Sequence, residues 1–228
     1  MRLDSKSHAM RLHLGVRALS TAATRRCFGE LGAFPRIGSI GTGPFTFETW
    51  LKTREPSVSV IAGYRDPGPE EVGFLFGLYV DRAFVQLRSV PNRRSATVVS
   101  DGRWHHVVVR RNEVGELTAL VDFVPVSVEF PTALRDIDPS SAMLHIGADS
   151  AGSGATYTGQ LRLTRIWGCE RSDERIEADA ETVFGPRDAL LFELPLDETS
   201  STVQETVGPT TLTVSSSTTR VMDCLPDP

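Results

Sequence analysis

Short apolar or alternating runs make up this chain from about Phe45 onward. Each run has roughly five to eight residues, and clusters of Gly, Pro, Asp, Asn and Ser separate the runs at intervals of about ten residues. Within one run, Phe74, Phe76, Leu78 and Val80 occupy every second position, which places these apolar side chains on one face of a strand. Many short strands at this spacing predict an all-β sandwich.

The same patterns assign the individual elements. One short helix is predicted near residues 172–184, with Ser172 as its N-cap and Gly185-Pro186 as its end. The fold class is therefore all-β, with antiparallel strands in two sheets and this one helix. The predicted strands are Phe45–Lys52, Val58–Gly63, Gly73–Val80, Ala83–Arg88, His105–Arg110, Glu116–Val121, Met143–Gly147, Gln160–Trp167, Leu190–Leu196 and Thr210–Val214.

Composition limits the partners of the chain. Its 24 Lys and Arg against 29 Asp and Glu give a net charge of -5, which opposes binding to a nucleic acid. No stretch approaches the ~20 consecutive apolar residues of a membrane-spanning helix. Because sandwiches of roughly 200–250 residues fold as one domain, residues 33–228 are predicted to form a single domain. The sequence leaves the oligomeric state open.

Residues 1–32 form a separate basic segment. No acidic residue occurs between Lys6 and Gly29, and Ser, Thr and Ala are frequent there, which is typical of a mitochondrial or other organellar targeting peptide. Apolar and polar residues alternate over Met10–Val16, which indicates an edge strand instead. A secretory signal is not indicated, because no apolar run of about 7–15 residues follows the basic start. The strand, the targeting peptide and a disordered tail stay open as alternatives.

The cysteines are too few and too far apart for a CxxC-type metal site. They are Cys27, Cys169 and Cys224, so one disulfide at most can form within the chain. The sequence does not decide which pair, if any, is bonded.

Several segments have a characteristic order and spacing. They are GTGPFTFETWLKT at Gly41–Thr53, DGRWHHVVVRR at Asp101–Arg111, LTALVDFVPV at Leu117–Val126, LHIGADS at Leu144–Ser150, YTGQLRLTRIWGCERSDERI at Tyr157–Ile176 and LLFELPLDETSSTVQETVG at Leu190–Gly208. In this order they resemble laminin-G-like domains of the concanavalin A-like lectin/glucanase jelly-roll superfamily. The chain departs from that family where Leu161, Arg162 and Leu163 replace a frequent Ile-Asp-Glu, and where Phe123 replaces a glycine.

This resemblance implies a two-sheet jelly-roll sandwich that acts as a non-catalytic carbohydrate- or protein-binding module. It also implies a glycan or protein ligand and an extracellular or cell-surface location. The alternative is an accessory structural subunit of a larger assembly, in an organelle. A glycoside hydrolase is the least favoured function.

The loops are the predicted binding surface, because rigid sheets fix their geometry. The candidate ligand-binding residues are Tyr64, Arg65, Asp66, Asn92, Arg93, Asp149 and Tyr157. Calcium takes about six to eight oxygen ligands from carboxylates and carbonyls, which acidic loops can supply. The candidate calcium ligands are Asp66, Glu70, Glu71 and Asp149. No catalytic residue and no other cofactor is predicted.

Two other groups of residues resemble functional motifs but are predicted to be structural. His105 and His106 are adjacent in a strand, so their side chains point to opposite faces and cannot chelate one ion. Trp50, Trp104 and Trp167 lie in or beside predicted core strands, where large rings are usually buried.

The carboxylates Glu177, Asp179 and Glu181 spell E-x-D-x-E, a pattern that some jelly-roll glucanases use for catalysis. That chemistry needs the two outer carboxylates on one face of a strand. Here the pattern falls in the predicted helix, where residues i and i+2 diverge around the axis.

Overall fold

A computed structural model describes residues 26–28, 32–34, 37–87, 93–126, 136–196, 202–208 and 211–213. These residues contain one α-helix, α1 (Asp173–Asp179), and strands numbered in chain order. The strands are β1 (Arg26–Phe28), β2 (Gly32–Phe34), β3 (Phe45–Lys52), β4 (Ser59–Arg65), β5 (Gly73–Tyr79), β6 (Arg82–Leu87), β7 (Arg93–Val98), β8 (His105–Arg111), β9 (Leu117–Val121), β10 (Val124–Val126), β11 (Leu144–Ile146), β12 (Gly159–Trp167), β13 (Leu190–Leu194), β14 (Thr202–Gln204) and β15 (Thr211–Thr213).

Two antiparallel sheets make up the sandwich, and β14 and β15 form a separate pair. The seven-stranded sheet has the order β1-β12-β3-β8-β9-β10, with β13 also paired to β12. β1 and β13 bind successive parts of β12, opposite to β3. The six-stranded sheet has the order β2-β11-β4-β5-β6-β7. The predicted all-β, two-sheet jelly-roll sandwich with one short helix is confirmed.

Most predicted strands begin and end within about two residues of the observed ones, which is the usual uncertainty of strand ends. The predicted and observed bounds of β3 are identical. Sequence patterns missed β1, β2, β7, β10 and β14. Four of these are only three residues long, and β7 begins with two arginines that hide its alternation. The predicted strand Met10–Val16 lies outside the described residues.

The core lies between the sheets and takes every second residue of each strand. Phe45, Phe47 and Leu51 of β3 are at most 1% exposed, as alternation predicts. The ring of Phe47 stacks on that of Phe76 from the opposite sheet, with centroids 4.2 Å apart. Burial of each such side chain stabilises the fold by about 1.5–3 kcal/mol.

A second buried layer covers the outer face of the seven-stranded sheet. Thr46 and Glu48 of β3 point away from the core, yet neither is exposed. Ile176 of α1 packs against Val108 and Leu120 on this outer face. Helix α1 and the segment after it therefore close the sheet on this side and position the cluster described below.

Helix α1 is shorter than the predicted helix. Ser172 is the N-cap, as predicted, and its hydroxyl accepts a hydrogen bond from the N–H of Arg175. The helix ends at Asp179, several residues before Gly185-Pro186. The carbonyls of Asp179 and Thr182 instead accept hydrogen bonds from the buried guanidinium of Arg165. No helix in the described part of the chain is long and apolar enough to cross a membrane.

Candidate functional site

Arg65, the last residue of β4, contacts two other predicted loop residues, Asp149 and Glu71. Its guanidinium contacts both carboxylate oxygens of Asp149, with Nε 3.0 Å from Oδ1, and NH1 contacts Glu71. Gln86 of β6 donates a hydrogen bond of 2.7 Å to the other oxygen of Glu71. The hydrogen bond to Asp149 raises the pKa of Arg65. These charged groups are therefore engaged with one another and join the β4–β5 loop to the loop after β11.

Asp66 holds a neighbouring segment. Its carboxylate accepts hydrogen bonds from the backbone N–H groups of Ser141 and Ala142, at 3.0 and 2.9 Å, and from the hydroxyl of Ser140. Burial alone would raise the pKa of this carboxyl, but the hydrogen bonds from Ser140 and Ser141 outweigh it and hold the pKa at about 2. Asp66 therefore fixes the segment that precedes β11.

The four candidate calcium ligands do not converge on one point. Asp149 and Glu71 bind Arg65, Asp66 binds residues 140–142, and Glu70 is exposed. Within the described ranges, no group of three or more His, Cys, Asp and Glu side chains is placed to hold a metal ion. Calcium binding at these carboxylates stays a prediction.

The two tyrosines in the predicted binding surface are core residues. Tyr64 is 2% exposed and Tyr157 is fully buried. The hydroxyl of Tyr157 donates a hydrogen bond to the carbonyl of Lys52, and burial raises its pKa. Neither ring is available to a ligand at the surface. Asn92 lies outside the described residues, and Arg93 is described only by its backbone, as the first residue of β7.

His105 and His106 face opposite sides of β8, as strand alternation predicts. His105 lies between two carboxylates, with Nδ1 2.8 Å from Asp122 and Nε2 2.9 Å from Asp101. His106 is fully buried on the outer face, with Nε2 3.5 Å from Oε2 of Glu48. The two rings have different partners, which supports a structural role for both.

The position of His105 predicts a pH-dependent contribution to stability. Burial alone would lower the pKa of His105, but the hydrogen bonds to Asp101 and Asp122 outweigh it and raise the pKa above 6.5. Protonated His105 therefore stabilises the fold fully below pH 6.5, and this contribution is lost as the pH rises through the raised pKa. We expect His105→Gln to lose less stability than the unsubstituted protein between pH 6 and pH 9, measured by urea unfolding. Parallel pH profiles of the two proteins would contradict this role.

The outer face of the seven-stranded sheet carries a buried charged cluster centred on Glu48. One carboxylate oxygen, Oε1, accepts hydrogen bonds from Nε1 of Trp167 at 2.6 Å and from NH1 of Arg171 at 2.9 Å. Nε of Arg165 lies 3.0 Å from the same oxygen. Burial alone would raise the pKa of Glu48, but His106 and the two arginines outweigh it and hold the pKa at about 2.

The cluster holds the segment around α1 against the sheet. Arg171 contacts the carboxylate of Asp179, at the end of α1, and the carbonyl of Arg175. The guanidinium of Arg165 binds the carbonyls of Asp179 and Thr182. Two buried arginines therefore connect Glu48 of the sheet to α1 and to the residues that follow it.

A cavity of about 510 Å³ opens beside this cluster. Arg171 is buried in its wall, with its guanidinium 4.2 Å from the centre of the Trp167 ring. The exposed residues Glu170 and Asp188 also border it. The volume is within the ~300–1,000 Å³ range of small-molecule sites. The cavity is lined chiefly by Trp167, Cys169, Arg171, Arg175, Asp179 and Arg187.

Two guanidiniums at this cavity have no carboxylate partner within the ranges that the structure describes. The guanidinium of Arg187 lies over the ring of Phe184, 3.9 Å from its centre. That ring packs edge-on against Trp167, with centroids 5.4 Å apart. Arg175 is exposed on α1, and its guanidinium forms no ion pair in the same ranges. The cavity therefore offers cationic donors that no carboxylate of the described residues engages.

The E-x-D-x-E carboxylates do not form a catalytic pair. Asp179 contacts Arg171, and Glu181 contacts Arg162 on a neighbouring part of β12. Glu177 is exposed on α1. The three side chains have separate environments, because Glu177 and Asp179 diverge around α1 and Glu181 lies beyond its end.

Sequence patterns directed attention to the loops and missed this cavity. Arg171 precedes the N-cap Ser172 and Arg175 lies in the first turn of α1, so helical spacing does not predict that both reach one cavity. Arg187 gives no sequence signal either, because only the tertiary fold brings it beside Trp167.

Solved structures similar to this chain share its fold at low sequence identity. A proposed carbohydrate binding protein from Bacteroides ovatus has a TM-score of 0.65 at 15% identity. The match covers 85% of this chain and 60% of the length of that protein. The CBM40 of IT-sialidase from Ruminococcus gnavus has a TM-score of 0.55 at 11% identity, over 68% of this chain and 95% of that one. A heptameric SAP-like pentraxin from Limulus polyphemus has a TM-score of 0.54 at 12% identity, and the match covers 87% of this chain and 93% of the pentraxin chain.

Sequence comparison gives the family directly. No curated protein matches the chain significantly. The family model Laminin_G_3 matches residues 31–177, which include β2 to β12 and most of α1. The chain therefore belongs to the Laminin_G_3 family of the concanavalin A-like lectin/glucanases superfamily.

Proposed function

We propose that this chain is a non-catalytic carbohydrate-binding module that holds its glycan in the cavity beside α1. The cavity carries the proposal, because it combines hydrogen-bonding groups with an aromatic wall in a volume suited to a small ligand. Arg175 and Arg187 supply donors to sugar oxygens, and Asp188 supplies an acceptor for sugar hydroxyls. The names of two similar structures, a proposed carbohydrate binding protein and a CBM40, support the same class of ligand.

Two features favour binding without catalysis. Hydrolysis of a glycosidic bond needs two carboxyl groups on either side of the bond, one of which acts as a proton donor. Of the three carboxylates that border this cavity, Asp179 is bound by Arg171 and Glu170 pairs with Arg110 at 3.7 Å, so Asp188 at most is unpaired. An extracellular or cell-surface location belongs to the same proposal, since glycan ligands of such modules are met there.

The alternative, a structural subunit of an organellar assembly, has no comparable support. The sequence features that favour this alternative are the acid-free N-terminal segment and Arg162. That segment is largely outside the described residues. Arg162 has a local structural role, because it contacts Glu181 and lies over the ring of Trp50, 5.5 Å from its centre.

A glycan array probed with the full chain tests the function, and alkylation of Cys169 tests the site. Cys169 lines the cavity and is half-buried. We expect reproducible binding of a glycan by the unmodified protein, and at least a tenfold loss after reaction with a bulky maleimide, because the adduct fills the cavity. A second array with millimolar calcium and then with chelator tests the loop carboxylates separately.

The matched control is Cys169→Ser treated with the same maleimide. This variant can still react at Cys27 and Cys224, so it differs from the treated protein only in lacking the adduct on Cys169. We therefore expect it to keep its glycan binding. Loss of binding in both proteins would place the site elsewhere. A blank array with folded protein, verified by circular dichroism, would contradict the proposed function itself.

A further inference from the structure

Arg187 is held in place, and no residue in the described part of the chain accepts a hydrogen bond from its guanidinium. Its guanidinium is stacked on Phe184, and Phe184 is fixed in turn by its contact with Trp167 and by a hydrogen bond from its N–H to Glu193. Stacking on an aromatic ring leaves the N–H groups at the edge of the guanidinium unused. A positioned arginine of this kind loses little conformational entropy when it binds a planar anion in two hydrogen bonds.

The charges of the cavity select the type of anion. Arg171 is already bound to Glu48 and Asp179, so the cations available to a ligand are Arg175 and Arg187. Asp188, and Glu170 which pairs with Arg110 at 3.7 Å, lie at the same cavity and repel a ligand with several negative charges. These two carboxylates can instead accept hydrogen bonds from hydroxyl groups. The lining therefore suits a ligand with one anionic group and several hydroxyls.

Assuming the proposed glycan-binding function, we propose that the ligand is an acidic sugar that bears a single carboxylate. The carboxylate binds the guanidiniums of Arg187 and Arg175, and the ring hydroxyls donate to Asp188 and Glu170. The planar fork of Arg187 matches a carboxylate in a bidentate arrangement. A neutral sugar would leave both guanidiniums without an acceptor, so it binds more weakly.

Titration of the full chain with galactose oligomers that carry one galacturonic acid residue, and with all-galactose oligomers of equal length, tests this ligand class. We expect the acidic oligomers to bind at least tenfold more tightly, and their affinity to fall as salt is raised. Arg187→Gln and Arg175→Gln should each weaken the acidic oligomers by roughly tenfold to a hundredfold, the usual effect of losing a charge-assisted hydrogen bond. Arg187→Lys should recover little of the affinity that Arg187→Gln loses, because an ammonium lacks the planar fork of a guanidinium.

Arg103→Gln is the matched control, since it removes one positive charge from a residue that precedes β8, is 82% exposed and does not line the cavity. It should leave the affinity unchanged, and the urea midpoints of all these variants should match that of the unsubstituted protein. Equal affinity for the oligomers with and without the single galacturonic acid residue, unaffected by the arginine substitutions, would overturn the acidic ligand while glycan binding stands. Tight binding of an acidic peptide in place of either glycan would overturn it as well, and binding of no glycan would overturn both proposals.

Discussion

Glu48→Gln is expected to destabilise the protein by about 3–5 kcal/mol, the usual penalty for removing one partner of a buried ion pair. The substitution keeps the size of the side chain but removes the carboxylate of the sheet that contacts both Arg165 and Arg171. Both guanidiniums would stay buried with less compensating charge. Urea unfolding at pH 7 measures the change in the free energy of unfolding. An unchanged urea midpoint would show that the cluster contributes little to stability.

The pH dependence gives an independent check of the same cluster. The pKa of Glu48 is about 2 in the folded protein, against an ordinary value of 4.5. Because the folded pKa is the lower one, the stabilisation is present above pH 4.5 and is lost as the pH falls through 2. The difference between the unsubstituted protein and Glu48→Gln should therefore shrink across this range. Glu177→Gln, at an exposed position on α1, is the matched control and should change stability by less than about 0.5 kcal/mol.

Gly73→Ala is expected to destabilise the protein by about 2–5 kcal/mol, because two penalties act together. Gly73 has a φ of +132°, where a side chain is strained. A Cβ at this position would also lie 2.0 Å from the carbonyl oxygen of Tyr64 and 2.5 Å from Cα of Arg65. These are backbone atoms of the paired strand, so β4 and β5 would have to separate. Urea unfolding measures the loss.

Gly68→Ala separates the two penalties. Gly68 lies in the same β4–β5 loop with a φ of +124°, but a Cβ there would have no neighbour within 4 Å. We expect it to reduce stability by only about 1–2 kcal/mol, from backbone strain alone. Equal losses in the two variants would mean that the close approach at Gly73 has no cost of its own.

The strands of the core could be predicted because their local pattern reports burial. Alternation in β3 and β5 fixed which side chains meet between the sheets, and the observed stack of Phe47 on Phe76 follows from it. The tryptophans were predicted to be core residues, and this was correct only in part. Trp167 is 4% exposed, but it and the half-buried Trp50 lie on the outer face, beneath α1 and its following segment.

One departure from the family pattern has a structural explanation. Phe123 replaces a glycine in the β9–β10 turn, where Asp122 and Phe123 have φ values of 53° and 67°. Such turns favour glycine at the second position. The ring of Phe123 packs beside His106 and Trp50, with centroids 5.1 and 6.2 Å away. This contact offsets the strain, and neither the strain nor the contact is visible in the sequence pattern.

The sequence by itself determined the all-β class, the main strands and the family, because each depends on short-range periodicity or on ordered motifs. The cavity and its charges were decided only by the tertiary structure. Glu48, Arg165, Arg171 and Arg187 are far apart in the chain, and their positions depend on how α1 and its following segment fold back over the sheet. Periodicity assigns each residue to a face of its own strand, but it does not specify which segment covers that face.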